Sequence, residues 1–147
     1  MVTTAAGSVG SAVGQLAKIY GCRTIGLTSS DKKEAMCKSK FGYDVVINYK
    51  EENDLSNSLK KIAPNGIDCF FDNVGGTQFD AVMENLNIKA RIVICGTIGM
   101  PSFPIPIGPR VNRTLLIKRA KIEGLLVLDY FRKYQEIYNK LLQWYVE

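Results

Sequence analysis

The sequence of 147 residues contains no histidine. This absence excludes the sites that depend on an imidazole: serine and cysteine hydrolases with a histidine base, zinc motifs of the HExxH type and Cys2His2 fingers. Little of conventional hydrolase chemistry is therefore compatible with this chain. The functions that stay open are those whose chemistry does not pass through an imidazole.

Cysteine occurs four times but never in a close pair. Cys22, Cys37, Cys69 and Cys95 are too widely spaced for a CxxC-type zinc cluster and too few for a disulfide framework. We therefore predict reduced, mostly buried cysteines, no metal site and a cytoplasmic protein.

Long apolar stretches are also missing. No run approaches the ~18 apolar residues that a membrane-spanning helix needs, and the first residues lack the basic and then apolar pattern of a signal peptide. We predict no membrane partner. The length and the composition, with 46% hydrophobic and 22% charged residues, are those of one globular domain.

Positive charge is in excess, with a net charge of +5, and it is concentrated near the end of the chain. Residues 110–147 contain eight lysines and arginines against four acidic residues. A basic stripe can bind nucleic acid, but no recognition motif accompanies this one. We interpret it as a solvated helix face and a basic loop, and predict no nucleic-acid partner. A non-catalytic interaction module that uses this quarter of the chain stays open as an alternative.

Apolar periodicity predicts strands and helices in alternation. The predicted strands are Met1–Thr4 (the tail of one), Arg23–Thr28, Val45–Asn48, Ile67–Asp72, Arg91–Cys95 and Lys121–Leu128. The predicted helices are Ser8–Tyr20, Asp31–Lys40, Asp54–Ala63, Gln78–Leu86 and Tyr130–Val146. This order indicates right-handed βαβ units, so the predicted fold class is α/β, a doubly wound Rossmann-type parallel sheet of about six strands with helices on both faces.

Two of the predicted helices carry a clear apolar stripe. The stripe of the first helix consists of Val9, Val13, Leu16, Ala17 and Tyr20, and that of the last consists of Phe131, Tyr134, Tyr138, Leu141 and Tyr145. Side chains at this spacing share one face of a helix, so both stripes support the helical assignment.

A glycine-containing turn joins the first strand to the first helix. Its sequence is Ala5-Ala6-Gly7-Ser8-Val9-Gly10-Ser11, with an alanine where the usual GxGxxG motif has its first glycine. In this context backbone amides at a helix N-terminus face a pyrophosphate, and glycines permit its close approach. The turn therefore predicts a dinucleotide site, while a tight turn without a ligand is the alternative.

The end of the second strand distinguishes between the two nicotinamide dinucleotides. An acidic residue there binds the ribose hydroxyls of NAD, whereas a basic residue suits a 2′-phosphate. The chain has Thr28-Ser29-Ser30-Asp31-Lys32-Lys33 at this point. Asp31, followed by Glu34, is better explained as the N-cap of the next helix. Small hydroxyls followed by two lysines therefore favour NADP(H).

A set of ordered motifs resembles a known family. The set comprises Ala5–Ser11, Ser30–Lys33, Asn48–Lys50, Asp72–Gly76 and Ile94–Gly96, with Gly108–Arg110, Lys118–Arg119 and Ile122–Gly124 later in the chain. Together they resemble the zinc-independent medium-chain dehydrogenase/reductases, in the branch of prostaglandin reductases and alkenal double-bond reductases. The resemblance implies NADP(H) as cofactor and hydride transfer to the C=C bond of an α,β-unsaturated ketone or aldehyde. The implied reaction requires no metal.

The resemblance also implies the site residues. The turn from Gly7 through Ser8 and Val9 to Gly10 would hold the pyrophosphate, and Lys33 and Tyr49 would contact the 2′-phosphate. The residues implied near the nicotinamide end are Asn73, Cys95, Gly96, Thr97, Ile98, Gly99, Met100, Pro101, Leu125, Leu126 and Val127. No catalytic side chain is assigned, since Tyr130 is a candidate proton donor only through its closeness to the last strand.

The extent of the resemblance leads to an expectation about domain organisation. Family members have a further substrate-binding domain, so we expect residues 1–147 to be the NADP-binding domain of a longer two-domain reductase, without that second domain and inactive alone. We also expect a homodimer through the edge strand 121–128. The alternatives are a quinone reductase of the same superfamily and an S-adenosylmethionine methyltransferase, which Thr28-Ser29-Ser30 disfavours.

Overall fold

The computed structural model describes residues 1–104 and 106–146, which form a sheet with flanking helices. The strands are β1 (Ile25–Thr28), β2 (Val45–Asn48), β3 (Ile67–Asp72), β4 (Leu86–Ile94) and β5 (Lys121–Gly124). The helices are α1 (Ser8–Ile19), α2 (Asp31–Phe41), α3 (Leu55–Ile62), α4 (Gly76–Glu84), α5 (Asn112–Lys118) and α6 (Tyr134–Val146), with a 3-10 helix over Val127–Lys133 before α6. The predicted α/β class is confirmed.

The first residues of the chain join the two halves of the sheet. β1 pairs with β2, and β3, β4 and β5 pair in that order, all in parallel. Val2 forms parallel bridges to both Gly26 and Phe71. The order across the sheet is therefore β2, β1, the Met1–Thr3 segment, β3, β4 and β5. This segment is too short to count as a strand, so the described residues form five strands where about six were predicted.

The sheet has an apolar core on each face. On one face α3, α4 and α5 cover Leu27, Ile47, Phe70 and Ile92. On the other, α1 and α2 pack around a smaller group that contains Val2, Tyr43 and Val46. Successive strand residues thus point to opposite faces, and both faces carry helices as the doubly wound prediction requires.

The apolar stripe of α1 is not its buried face. Val9 and Tyr20 are exposed, whereas Gly10 and Gly14 are buried. A Cβ at Gly14 would lie 2.2 Å from Cζ of Tyr43, so the ring occupies the space that a larger side chain would need. The closest packing of this helix against the sheet therefore occurs at glycines, and the two ends of the apolar stripe are exposed.

The boundaries of two strands also differ from the prediction. β4 begins at Leu86, five positions before the predicted start at Arg91, because its first residue already pairs with Ile67 of β3. The predicted strand 121–128 ends at Gly124. Its partner β4 ends at Ile94, which pairs with Gly124, so the residues beyond Gly124 have no further residue of β4 to pair with. The four residues of β5 are exposed, and the homodimer through this edge stays a prediction.

The last part of the chain leaves much apolar surface in contact with solvent. We call the following exposed residues the C-terminal apolar surface: Leu126, Val127, Leu128, Phe131, Tyr134, Ile137, Tyr138, Leu141, Leu142 and Tyr145. The apolar stripe of the last predicted helix is therefore exposed in this structure. The ring of Trp144 packs edge-on against Tyr20 of α1, with 6.1 Å between ring centroids.

The four cysteines are free thiols, as the spacing predicted. Cys37 is buried and Cys95 is half-buried, but Cys22 and Cys69 are exposed, so the prediction of mostly buried cysteines is wrong for these two. Within residues 1–104 and 106–146, no helix has the length and apolar character to cross a bilayer.

A carboxylate at the amino end of the sheet is expected to make folding sensitive to acid. Asp44 accepts hydrogen bonds from Lys18 Nζ at 2.6 Å and from the Thr24 amide at 2.7 Å, and these bonds lower the pKa of its carboxyl to about 2. A lowered pKa in the folded state stabilises the fold above the unfolded pKa of 3.8, and this contribution is lost as the pH falls toward 2.

The measurement is the unfolding midpoint of the wild type and of Asp44→Asn as a function of pH. We expect the wild type to be the more stable above about pH 4, and the difference to shrink steadily between about pH 4 and pH 2. A difference that stays constant over this range would contradict the assignment.

Candidate functional site

The carboxyl ends of the strands bring the predicted site residues to one edge of the sheet. The segment Met1–Thr3 leads into the glycine turn, β1 and β2 lead to Lys33 and Tyr49, and β3 and β4 lead to two longer loops. Because all these strands are parallel, their carboxyl ends meet at the same edge. The structure therefore brings together residues that are far apart in the sequence.

The glycine turn presents the start of a helix without a cap. Thr4 has a left-handed backbone conformation, with φ of 53°, and its carbonyl accepts a hydrogen bond of 2.8 Å from the Gly7 amide. α1 then begins at Ser8 with no side-chain cap and no acidic residue in its first turn. The first amides of a helix have no acceptor within the helix, so this end is suited to an anionic group.

The start of α1 lies directly against the backbone at the beginning of the turn. A Cβ at Gly10 would lie 2.2 Å from the carbonyl oxygen of Thr4 and 2.9 Å from Cα of Ala5. The carbonyl of Gly10 also accepts a hydrogen bond of 2.7 Å from the Tyr43 hydroxyl, whose pKa is raised by burial. The turn and the helix therefore approach each other as closely as a dinucleotide-binding turn requires.

The cap of α2 is Ser30 rather than Asp31, which corrects the predicted N-cap. The Lys33 amide donates to Ser30 Oγ at 3.4 Å. The carboxylate of Asp31 instead accepts a hydrogen bond of 2.9 Å from the side-chain amide of Asn48, at the end of β2. The side chain of Asp31 therefore links the start of α2 to the end of β2. It makes this hydrogen bond and does not cap α2, as had been predicted.

Lys33 and Tyr49 follow neighbouring strands. The ammonium group of Lys33 donates to Ser29 Oγ at 3.2 Å, and the side chain is exposed. Thr28 pairs with Asn48 in the sheet, and the Tyr49 amide donates to the Thr28 carbonyl at 3.0 Å. A cation and small hydroxyls therefore lie together at the end of β1, next to a half-buried tyrosine, and this combination suits a phosphate.

Asn73 begins the loop after β3 and is fixed by Thr3. Its amide donates to Thr3 Oγ1 at 2.7 Å, and its side-chain Nδ2 donates to the Thr3 carbonyl at 2.9 Å. The carboxylate of Asp72 accepts from the amides of Val74 and Gly75 at 3.1 Å and 2.9 Å. The loop from 73 to 76 is therefore tied to the residue that precedes the glycine turn.

The loop after β4, which contains the predicted residues from Cys95 to Pro101, runs along this first loop. The amides of Cys95 and Gly96 donate to the Asp72 carbonyl at 2.8 Å and 3.2 Å. The Gly99 amide donates to the Val74 carbonyl at 2.9 Å. Thr97, Ile98, Met100 and Pro101, in the same loop, are exposed.

A pocket of about 300 Å³ opens between these loops and the segment 106–111. Gly75, Met100 and Phe79 contribute to its walls, and the side chain of Asp80 lines it as well. Burial, and then the charge of Glu84, raise the pKa of the Asp80 carboxyl. The pocket gives this end of the site space for a small organic group.

The last three predicted site residues, Leu125, Leu126 and Val127, directly follow the end of β5. The Leu125 amide donates to the Ile94 carbonyl at 2.8 Å, which places this residue beside the loop after β4. Leu126 and Val127 are 56% and 77% exposed and belong to the C-terminal apolar surface. Tyr130 lies in the 3-10 helix and is exposed, and no catalytic role is assigned to it.

Thr3 and Asp72 were missed by sequence reasoning. Asp72 had a local signal, because an aspartate followed by Asn-Val-Gly-Gly is typical of a turn in which the carboxylate accepts backbone amides two and three positions later. Thr3 had none, since its partner lies 69 positions away in the chain.

Comparison with known proteins identifies the family. A family model described as zinc-binding dehydrogenase matches residues 8–147. The NADP(+)-dependent 2-alkenal reductase of Nicotiana tabacum is 45% identical over 133 residues, which cover 90% of this chain and 39% of that protein. Prostaglandin reductase 1 of Bos taurus is 39% identical over 149 residues, which cover 100% of this chain and 45% of that protein.

A solved structure supports the same fold. The crystal structure of CurA from Vibrio vulnificus in complex with NADPH matches with a TM-score of 0.90 at 40% sequence identity. The match covers 99% of this chain and 44% of that chain. The chain thus spans less than half the length of the proteins it resembles.

Proposed function

The chain belongs to the zinc-binding dehydrogenase family, and we propose that it is the NADP(H)-binding domain of an oxidoreductase. The substrate class that we propose is α,β-unsaturated ketones and aldehydes, reduced at the C=C bond. One observation carries the proposal: the uncapped start of α1 and the Lys33–Ser29 pair lie at the same edge of one parallel sheet. This arrangement offers a site for a pyrophosphate and a second site for a phosphate.

The choice of NADP(H) over NAD(H) rests on the end of β1. Lys33, Ser29 and Ser30 provide a cation and two hydroxyl groups there, which suit a 2′-phosphate. Asp31 is the acidic residue nearest to this point in the sequence, and its carboxylate already accepts a hydrogen bond from the side-chain amide of Asn48. The name of the tobacco relative and the NADPH in the CurA crystal support the same choice.

Each part of the site has a separate task in this proposal. The amides from Gly7 to Gly10 bind the pyrophosphate, and Lys33 and Tyr49 bind the 2′-phosphate. Asn73, with the segments 95–101 and 125–127, positions the nicotinamide end. A bound cofactor would supply the hydride, and the residues of this site would hold and orient it.

The residues do not fit a zinc site, although the family description mentions zinc. In the part of the chain that the structure describes, no three His, Cys, Asp or Glu side chains lie close enough together to hold a metal ion.

The proposed substrate class is supported by the relatives. Their names are 2-alkenal reductase and prostaglandin reductase, and both are similar over at least 90% of this chain. We further propose that these residues alone do not reduce such substrates, because Leu126 and Val127 leave the proposed nicotinamide end open to solvent. Exposure to water opposes the exclusion that hydride transfer requires.

Titration of the 147-residue chain with NADPH and with NADH, followed by ligand fluorescence or calorimetry, tests the proposal. We expect saturable binding of NADPH, and binding of NADH weaker by about tenfold or more, because a charge-assisted contact to the 2′-phosphate is lost. Equal affinities, or no binding of either, would contradict it. On addition of an α,β-unsaturated aldehyde or a quinone we expect no oxidation of NADPH, and measurable oxidation would refute the proposed inactivity.

A further inference from the structure

We propose that Thr3 and Asp72 are positioning residues, which hold the loops of the nicotinamide end in register with the glycine turn. The inference rests on the proposed function and adds two residues to the site. Neither side chain faces solvent, since Thr3 is 0% and Asp72 is 1% exposed. They therefore act through the groups that they hold, and contact with the cofactor is not required.

Thr3 connects the Met1–Thr3 segment to the loop after β3. Its hydroxyl donates to Asp72 Oδ1 at 2.8 Å and accepts from the Asn73 amide at 2.7 Å. Its carbonyl accepts from Asn73 Nδ2 at 2.9 Å. The next residue, Thr4, begins the glycine turn, so one threonine fixes Asn73 relative to the proposed pyrophosphate site.

Asp72 extends this connection to the loop after β4. Its carboxylate accepts from Thr3, Val74 and Gly75, so both oxygens are used. Its backbone carbonyl accepts from the amides that begin the loop after β4, at 2.8 Å and 3.2 Å. A buried carboxylate with several donors is rigid, because any rotation leaves a buried group unpaired.

The position of these bonds argues for a role in binding beyond a role in stability. They lie at the carboxyl edge of the sheet and connect three loops that are proposed to contact one ligand. A ligand that spans several loops binds tightly only when the loops keep a fixed separation, to within about 0.5 Å. Displacing these loops from the glycine turn would weaken contacts at the nicotinamide end and leave those at the adenosine end.

The amino end of the strands contains a comparable threonine–aspartate pair, Thr24 and Asp44. Thr24 is 2% exposed, its hydroxyl donates to Asp44 Oδ2 at 3.0 Å, and it accepts from the Asp44 amide at 3.1 Å. The chemistry and burial resemble those of Thr3, but Thr24 lies just before β1, at the amino end of the strands. Thr24→Val therefore controls for the general cost of removing a buried hydroxyl.

The test uses two probes, NADPH and adenosine 2′,5′-bisphosphate, which contains only the adenosine end. For Thr3→Val and Asp72→Asn we expect the Kd of NADPH to rise about tenfold or more, with little change for the bisphosphate. Thr3→Ser keeps the hydroxyl and should retain wild-type affinity for both probes. Thr24→Val should lower the unfolding midpoint without separating the two probes.

Several outcomes would overturn the inference. These are an equal loss of affinity for both probes in Thr3→Val, a loss in Thr3→Ser as large as that in Thr3→Val, and the same selective loss in Thr24→Val. If Thr3→Val does not fold, the comparison of Thr3→Ala with Thr3→Ser isolates the hydroxyl. Failure of every variant without the hydroxyl to fold would show a structural role and refute positioning. Failure of the proposed function is distinct, because the wild type would then not bind NADPH.

Discussion

Replacement of Gly10 by alanine is expected to abolish NADPH binding and to destabilise the domain. The new Cβ would lie 2.2 Å from the Thr4 carbonyl oxygen and 2.8 Å from the carbonyl carbon. Both atoms belong to the backbone of the turn, so no side-chain rotation can relieve the contact. Overpacking of this kind costs about 1–3 kcal/mol where side chains yield, and we expect at least the upper end here.

Binding is expected to suffer more than stability. The helix must move away from Thr4 to admit the methyl group, and its first amides move with it, so the anion site is lost. Calorimetric titration with NADPH measures the first effect and thermal unfolding the second. Gly124→Ala serves as a control, since a Cβ there meets nothing within 4 Å, and its unfolding midpoint should match the wild type. Wild-type NADPH affinity in Gly10→Ala would rule out the proposed role of the turn.

Replacement of Lys33 by alanine is expected to remove the preference for NADPH. The ammonium group lies 3.2 Å from Ser29 Oγ at the end of β1, where the proposed 2′-phosphate binds. A hydrogen bond to a charged group contributes about 1.5–3 kcal/mol, so the Kd of NADPH should rise roughly 10-fold to 100-fold. The Kd of NADH should hardly change, because NADH has no 2′-phosphate.

Lys32→Ala is the matched control for Lys33→Ala. It removes the same charge from the adjacent position on α2 without removing the bond to Ser29. Long-range attraction of an anionic ligand would decline equally in the two variants and would be screened by salt. A direct contact instead predicts that only Lys33→Ala lowers the ratio of the two affinities. Equal changes in both variants would assign Lys33 a solvated surface role.

The local backbone arrangement of the candidate site could be predicted. A short extended segment, a turn with Gly7 and Gly10, and a helix follow each other within a few residues, and backbone conformation dictates their arrangement. The same holds for the hydroxyl-rich segment before Lys33. Its cap was assigned to the wrong residue because Ser30 and Asp31 are both good N-caps and only the backbone geometry distinguishes them.

The parts that depend on distant pairs could not be predicted. The bond between Thr3 and Asp72 joins residues 69 positions apart, and no spacing rule links them. The buried face of α1 could not be predicted for a similar reason. Apolar periodicity favours Val9 and Tyr20, but the ring of Tyr43 fills the space beside Gly14 and sets which side packs. Tertiary packing overrode the local pattern at this helix.

Binding of the proposed cofactor is expected to stabilise the pairing of the Met1–Thr3 segment with β1 and β3. Its residues bridge β1 and β3 and continue into the glycine turn, so the same few residues serve the middle of the sheet and the proposed pyrophosphate site. A ligand that binds only when this segment is docked shifts the equilibrium toward the docked state. By mass action, a ligand at a hundred times its Kd adds about 2.7 kcal/mol to the stability of that state. Saturation with cofactor would thus hold the two halves of the sheet together.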